Sequence, residues 1–251
     1  MMERCMEQIV EEKIESLNIK GLKIIQNKKW FCFGMDAVLI SDFADIKKTD
    51  TVVDLGTGTG IIPLLIWGKK EPVKIYGVEI QPEMVELAKK SVSLNHLEDQ
   101  IHIIHMDMKS LSAQTFEKVD VVVSNPPYIE YQGGIVNPES QKALARHEIA
   151  CDLEDVINAA ARILKQQGSF FMIHRPYRLV DIFSLMRKHR LEPKKIRFVH
   201  PKEGQKPNMI MIKGVKGGKM ELQVEPPLYV YNHEGVYTKE LLKIYELDDQ
   251  S

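Results

Sequence analysis

Cysteine is scarce in this 251-residue chain: Cys5, Cys32 and Cys151 stand far apart, and no Cys-x-x-Cys pair occurs. That excludes a disulfide framework and a zinc-ribbon site, and it fits a reducing compartment. Long apolar runs are missing as well. The most apolar stretches, at 61–67 and 119–123, are far too short to span a bilayer. Glu11, Glu12 and Glu15 near the start are incompatible with a secretory leader. A cytoplasmic protein without membrane contact is therefore expected. Net charge is only −1, so the total points to no class of partner. Apolar residues at 44% are enough for a sizeable core, and no low-complexity linker or internal repeat interrupts the chain.

From Thr51 onward, short β-branched runs alternate with longer amphipathic ones. Strands are expected over Thr51–Leu55, 73–79, Ile101–His105, Val119–Ser124 and 169–174. Helices are expected over 60–67, Pro82–Leu94, 153–165 and 179–189, with Asp152 as an N-cap and Gly168 as a helix stop. Alternation of this kind implies a parallel sheet covered on both faces, with ligands bound beyond the carboxyl ends of the strands. Two later strands, 195–199 and 209–213, have no helix between them and should pair antiparallel. Before Thr51, residues 22–33 read as a hairpin turning at Asn27-Lys28-Lys29, followed by a helix over Met35–Phe43. A last amphipathic segment covers 239–245. The organisation expected is an N-terminal extension, 1–48, packed on a larger domain, 49–251.

The sequence Asp54-Leu55-Gly56-Thr57-Gly58-Thr59-Gly60 lies where the first of these strands gives way to a helix. Glycines there permit a left-handed backbone and close approach of a ligand. A dinucleotide fingerprint needs a sixth-position glycine, but counting from Gly56 that position is Ile61. The other readings are a plain tight βα turn, which three alternating glycines and a strand-end acid disfavour, and S-adenosylmethionine, which carries a sulfonium, an ammonium and a carboxylate. Asp54 suits its cationic side. Glu79, ending the second strand, can accept from two ribose hydroxyls, although alone it fits either cofactor. Asp107 is placed to meet an adenine amino group, with Ile80 or Met108 beside the ring; its other reading is a solvated loop acid.

Asn125-Pro126-Pro127-Tyr128 follows the fourth strand directly. A rigid Pro-Pro turn would explain the prolines, but the position beside the cofactor strand favours chemistry. An exocyclic amino nitrogen is a poor nucleophile because its lone pair is delocalised. Two acceptors aimed at its N–H groups, the Asn125 side-chain oxygen and the Pro126 carbonyl, would localise that pair. Tyr128 offers a face for a planar base or amide. Such a reaction needs alignment and exclusion of water, not a metal or a covalent nucleophile.

In order and spacing, Asp54–Gly60, Glu79, Asp107 and Asn125–Tyr128 resemble class I methyltransferases acting on amino nitrogens. Finer features are Ile25-Gln26, Phe33-Gly34-Met35-Asp36-Ala37, Arg146-His147-Glu148, His174-Arg175-Pro176 and Pro226-Pro227-Leu228-Tyr229-Val230-Tyr231. With these the chain is similar to the bacterial tRNA1(Val) adenine-N6-methyltransferase group, of the methyltransferase small domain type, over roughly residues 20–240. The resemblance implies a Rossmann-like α/β fold. Its sheet would be mostly parallel and seven-stranded, with an antiparallel terminal pair and a small N-terminal hairpin and helix. It implies S-adenosylmethionine as cofactor and an adenosine beside the anticodon of a valine tRNA as substrate. The cofactor set becomes Asp36, Asp54, Gly56, Thr57, Gly58, Gly60, Glu79, Ile80, Asp107, Met108 and Asn125; the catalytic set is Asn125, Pro126 and Tyr128.

Basic residues crowd 187–219, where only Glu192 and Glu203 oppose them, and Lys20, Lys23, Lys28 and Lys29 add to the charge near Trp30. This is either a phosphate-binding surface or a solvated Lys-rich face. Lys28, Lys29, Arg146, Arg175, Arg178, Lys194, Lys195 and Arg197 are the candidates for RNA contact. Two rival functions use much of the same sequence. Glutamine-N5 methylation of a protein shares the Asn-Pro-Pro-Tyr logic, but usually with a helical domain ahead of the fold. A non-enzymatic RNA-binding scaffold has no need of Asp54, Glu79 and Asn125 together.

Overall fold

A computed structural model of the chain describes residues 12–27, 34–112, 117–128 and 152–247. The organising element is the valine-rich strand β6 (Val119–Ser124), which lies beside β3 (Thr51–Leu55) in parallel register, Val52 opposite Val121 and Leu55 opposite Ser124. Alternate side chains of such strands point to opposite faces, and both faces are apolar here. Val52, Val121, Val123 and Phe171 pack into one core, with α1 (Met35–Phe43) and α2 (Ile61–Lys70). Val53, Leu55, Val122 and Phe170 pack into the other, with α4 (Leu153–Ile163) and α5 (Leu179–Lys188). Burial on both sides is what selects a continuous β-branched run over an alternating one.

β4 (Lys74–Glu79) and β5 (Ile101–His105) extend the sheet on one side of β3, with α3 (Pro82–Leu94) between them in the chain. The chain then crosses to β6 on the other side of β3, and β7 (Leu164–His174) adds to β6 in parallel. The switch of direction falls between β3 and β6, so their following loops open a crevice at the carboxyl ends. β9 (Met209–Lys216) is antiparallel to β7, and β8 (Leu191–Lys202) antiparallel to β9, as expected for the terminal pair.

These seven strands are the expected sheet, but its edge carries two more. β10 (Gln223–Val224) and β11 (Leu228–Tyr231) each run parallel to β8, giving nine strands in all. A final helix, α6 (Lys239–Ile244), is capped by Thr238, whose hydroxyl accepts from the Leu241 N–H at 3.2 Å.

One expectation needs correction. Gly168 does not stop a helix: α4 ends at Ile163, and Gly168 lies inside β7. A Cβ there would stand 2.9 Å from the Lys165 carbonyl oxygen and 3.1 Å from that of Asp120, so close backbone approach explains the glycine. Near the N-terminus, β2 (Lys23–Asn27) pairs with β1 (Glu12–Ser16), and the turn between them runs through Asn18 and Gly21, both at positive φ. The proposed turn residues Lys28 and Lys29 lie outside the described residues. β2 is seated on α3: the Ser91 hydroxyl accepts from Ile25 N–H at 3.0 Å, and Asn95 accepts from Lys23 N–H at 2.8 Å. No helix of the described residues is long and apolar enough to cross a membrane.

Candidate active site

The glycine turn is shaped by backbone bonds to the end of β4. The N–H groups of Gly56 and Thr57 donate to the Val78 carbonyl at 2.9 and 3.0 Å. Gly56, Gly58 and Gly60 have φ of 73°, 55° and 83°, a region that strains other residues. Space in front of Gly58 is open, so its conformation alone requires glycine; a Cβ on Gly60 would press to 3.2 Å against Ala88 of α3.

Glu79 is nearly sealed from solvent. One carboxylate oxygen accepts from Gly58 N–H at 2.9 Å, the other from Ile80 and Gln81 N–H at 2.9 and 3.0 Å. The acid therefore fixes the turn as well as standing at the strand end where ribose hydroxyls were expected. Asp54 is the opposite case. It is fully buried, and among the described residues neither oxygen has a partner at full hydrogen-bond geometry, although the buried Thr57 hydroxyl stands close to it. Burial pushes the Asp54 carboxyl up to about 7; the Thr57 hydroxyl works against that rise and the Glu79 charge adds to it. A buried polar group without a partner is costly, and this one is suited to a cationic donor.

Beyond β5, Asp107 caps a short 3-10 turn, accepting from Lys109 N–H at 2.8 Å. The Met108 methyl reaches over Gly56, 3.8 Å from where a Cβ would stand, and Ile80 is exposed beside Glu79. Arg162 of α4 anchors this turn through the Lys109 carbonyl at 2.9 Å.

Across the crevice, the Ser124 hydroxyl donates to the Leu55 carbonyl at 2.9 Å and ties the two strand ends together. Asn125 comes next, half-buried, then buried Pro126 and exposed Pro127. The Tyr128 hydroxyl lies 2.6 Å from Asn125 Oδ1 and 3.3 Å from Asp36 Oδ2, so its single proton serves the nearer acceptor first. Burial, and then the Asp36 charge, raise the Tyr128 phenol well above its ordinary value despite Arg175, so it remains a neutral donor. Asp36 thus sits on the acceptor side of the site, supporting Tyr128 from α1, and not on the glycine turn. Gly34 makes room for it, since a Cβ there would stand 2.8 Å from Asp36 Oδ1.

One face of the Tyr128 ring is covered by the Arg175 guanidinium, 4.8 Å from the ring centre, and His174 meets the ring edge-on at 5.2 Å. Burial pushes His174 down to about 4. Its Nδ1 accepts from Arg175 N–H at 2.8 Å, which fixes the neutral tautomer. The hydroxyl bond from Tyr128 to Asn125 and the His174 contact are site features the sequence reading missed. Their only signal was a tyrosine three residues beyond an asparagine.

The RNA candidates divide. Arg175 lies at the site, bonded also to the Asn208 carbonyl at 3.0 Å. Arg178, close by in the chain, pairs with Asp181 at 2.8 Å. Lys195 is committed to Asp45 and Glu225, at 3.3 and 3.2 Å, and Arg197 to Glu240 at 2.6 Å and the Pro226 carbonyl at 3.0 Å. Lys194 stands 3.7 Å from Glu221. The three basic residues expected to contact RNA over Lys194–Arg197 thus each face acids from elsewhere in the chain. Lys28, Lys29 and Arg146 fall outside the described residues.

The residues present fit S-adenosylmethionine on their own terms. Among the described residues Asp54 is a buried acceptor without a full hydrogen bond and nothing fills the space before Gly58, while Glu79, Ile80, Asp107 and Met108 stand at the adjoining strand ends.

The family model of the methyltransferase small domain matches residues 34–190. A curated relative from Flavobacteriaceae bacterium strain 3519-10, named tRNA1(Val) (adenine(37)-N6)-methyltransferase, is 29% identical over 64% of this chain and 66% of its own length. A relative of the same name from Dyadobacter fermentans is 27% identical over 84% of this chain and 89% of its own. Among solved structures, a predicted O-methyltransferase from Agrobacterium tumefaciens superposes with a TM-score of 0.68 at 21% identity, covering 84% of this chain and 95% of that one. At that identity the likeness speaks for the fold.

Proposed function

The chain belongs to the methyltransferase small domain family, and from that premise we infer that it is an S-adenosylmethionine-dependent methyltransferase acting on the exocyclic N6 of adenine in tRNA. Its relatives' name supplies the substrate class for this reading, adenine 37 of tRNA1(Val). The observation that carries the reading for this chain is the juxtaposition across the β3–β6 crevice. Asn125 follows directly on Ser124, whose hydroxyl is bonded to Leu55, and Leu55 is the chain neighbour of Asp54, a buried acid with no full hydrogen bond among the described residues. A cation-seeking pocket and an amine-seeking acceptor share one strand boundary.

When bound, S-adenosylmethionine supplies a methyl group activated on a sulfonium. Asp54 would hold its ammonium, Glu79 its ribose hydroxyls and Asp107 its adenine amino group, with Ile80 and Met108 against the ring. The protein's remaining task is alignment. Asn125 Oδ1, oriented by the Tyr128 hydroxyl, and the Pro126 carbonyl accept from the two N–H groups of the target amine. Drawn this way, the nitrogen becomes more tetrahedral and exposes its lone pair. As positive charge develops there, these acceptors bind it more tightly than they bind the ground state, which is the source of acceleration. Arg175 holds the Tyr128 face until a base replaces it, and its guanidinium then becomes available to a phosphate beside Arg178. The enzyme works in the cytoplasm, in keeping with its scattered cysteines.

The test is incubation with labelled S-adenosylmethionine and total tRNA, then nuclease digestion and mass spectrometry. N6-methyladenosine is the expected product. Label on a protein glutamine, or cofactor binding without transfer to any acceptor, would replace this reading with one of its rivals.

A further inference from the structure

The C-terminal segment places three tyrosines in a column at the edge of the site. The rings of Tyr231 and Tyr237 are 5.3 Å apart and within 22° of parallel; those of Tyr237 and Tyr245 are 6.2 Å apart and within 13°. The segment is well anchored. β11 holds Tyr231 in register with Lys202, a single bridge joins Tyr231 to Tyr237, and Thr238 caps α6. The Lys69 ammonium on α2 holds the Ile244 carbonyl, and the Tyr245 ring packs on the core that includes α1. Tyr245 and Val38 of α1 line one cavity, and α1 also carries Asp36, the acid that meets the Tyr128 hydroxyl. The column therefore starts against the helix that supports the Asn-Pro-Pro-Tyr turn. Its end ring Tyr231 and its middle ring Tyr237 are partly exposed, at 38% and 39%, with Val236 beside them at 55%.

Tyrosines needed only to pin the segment would be buried against it. A column of near-parallel, partly exposed rings can be continued by an unpaired nucleobase stacked on its open end. We infer that Tyr231, Tyr237 and Tyr245 form a platform on which unpaired bases of the substrate RNA, flanking the target adenine, stack. The inference rests on the proposed RNA substrate and extends it: the tail reads single-stranded loops, and duplex RNA with its bases already stacked is a poor substrate. Stacking of this kind is tolerant of base identity and insensitive to salt, unlike phosphate contact.

The probe is a single-stranded oligoadenylate decamer, compared with an abasic decamer of the same backbone. Wild type should prefer the decamer that carries bases. Tyr231→Leu and Tyr237→Leu should each lose roughly 5- to 150-fold in affinity for it and little for the abasic strand, with the salt slope unchanged. Tyr237→Phe keeps a flat aromatic ring and should bind like wild type. Binding of S-adenosylmethionine by the Leu variants serves as the check of an intact fold. Folded Leu variants that bind the decamer as wild type does would overturn the inference, and so would equal wild-type affinity for both decamers. The two readings fail separately. A wild type that methylates no RNA defeats the proposed function, whereas one that methylates tRNA with unaltered KM in Tyr237→Leu defeats only the platform.

Discussion

The two sides of the crevice are built from different kinds of bond. On the cofactor side, the glycine turn is held by main-chain groups: Gly56 and Thr57 on the Val78 carbonyl, and Gly58, Ile80 and Gln81 on the Glu79 carboxylate. On the acceptor side the contacts run between side chains: Tyr128 to Asn125 and Asp36, Arg175 over Tyr128, His174 at its edge. Main-chain bonds fix a shape that every turnover needs unchanged. Side-chain contacts can be exchanged for substrate, as when a base takes the ring face that Arg175 covers. The cofactor side is thus preorganised and the acceptor side self-satisfied, and substitutions should separate the two.

The largest separation is expected at Asn125. Its oxygen matters most as the target nitrogen becomes tetrahedral, so Asn125→Ala should slow single-turnover methyl transfer by about 10²–10³-fold, by analogy with loss of one preorganised transition-state hydrogen bond. S-adenosylmethionine affinity should hardly change. Because the Tyr128 hydroxyl orients that oxygen, Tyr128→Phe should also slow transfer, by less, while keeping the ring. Near-normal transfer in Asn125→Ala would mean that the motif is a structural turn.

Glu79 should behave in the reverse manner. Glu79→Ala strips three backbone donors of their acceptor and removes the proposed ribose contact. Cofactor affinity should fall by about 10- to 150-fold, equivalent to roughly 1.5–3 kcal/mol, and the midpoint of thermal unfolding should drop with it. Calorimetry and a melting curve read both. Unchanged melting together with weakened cofactor binding would assign Glu79 to the ligand alone and undo the contrast between the two sides.

How much of this was legible in the sequence depended on what each residue answers to. β6 announced itself because Val119–Val123 is buried on both faces, and Pro82 and Leu94 bounded α3 by local chemistry. The strand-end positions of Asp54 and Asn125 were legible because each closes a β-branched run at a glycine or proline turn. The Gly168 reading failed because the deciding contact is remote, the Asp120 carbonyl on the neighbouring strand, and the seating of β2 on Ser91 and Asn95 of α3 is equally remote in sequence. The tyrosine column was invisible for the same reason. Tyr231, Tyr237 and Tyr245 show no periodicity of one element, and only the docking of β11 and α6 brings them into line.

A smaller effect is expected from pH, acting through Asp54. Free Asp54 carries its proton below about 7, whereas a bound ammonium favours the carboxylate. Binding therefore releases a proton below that point, and affinity should rise about tenfold per pH unit up to 7 and then level. The range to use is pH 5–7, below the ordinary α-amino range of about 7.7–8.0 where the ligand itself loses charge. The sign for stability is opposite. Between the unfolded value of 3.8 and about 7 the folded protein holds the extra proton, so the ligand-free protein should lose stability as pH rises through that window. Asp54→Asn should flatten both profiles; a flat profile in wild type would remove Asp54 from the ammonium site.

The smallest effect is expected where the sequence suggested a large one, at the basic strip. Lys195 and Arg197 look like phosphate ligands in a list of charges, but in the fold they bind the chain to itself. Lys195 shares Asp45 with Lys213, at 3.3 and 3.1 Å, and Arg197 grips Glu240 on α6. Burial opposes ionisation of Asp45, yet Lys213 and Lys195 hold its carboxyl below the ordinary range. A cation already neutralised at this distance releases few counterions when RNA arrives. Lys195→Gln with Arg197→Gln should therefore leave the salt slope of tRNA binding unchanged, whereas a free phosphate contact would lower it by about one per cation removed. What the pair should lose is part of the hold on α6 and its tyrosines, seen as a slightly lower melting midpoint, since partly exposed ion pairs contribute at most about 1 kcal/mol each. A salt slope reduced by two in the double variant would return these residues to the RNA surface, and with them the neutral account of this edge would fail.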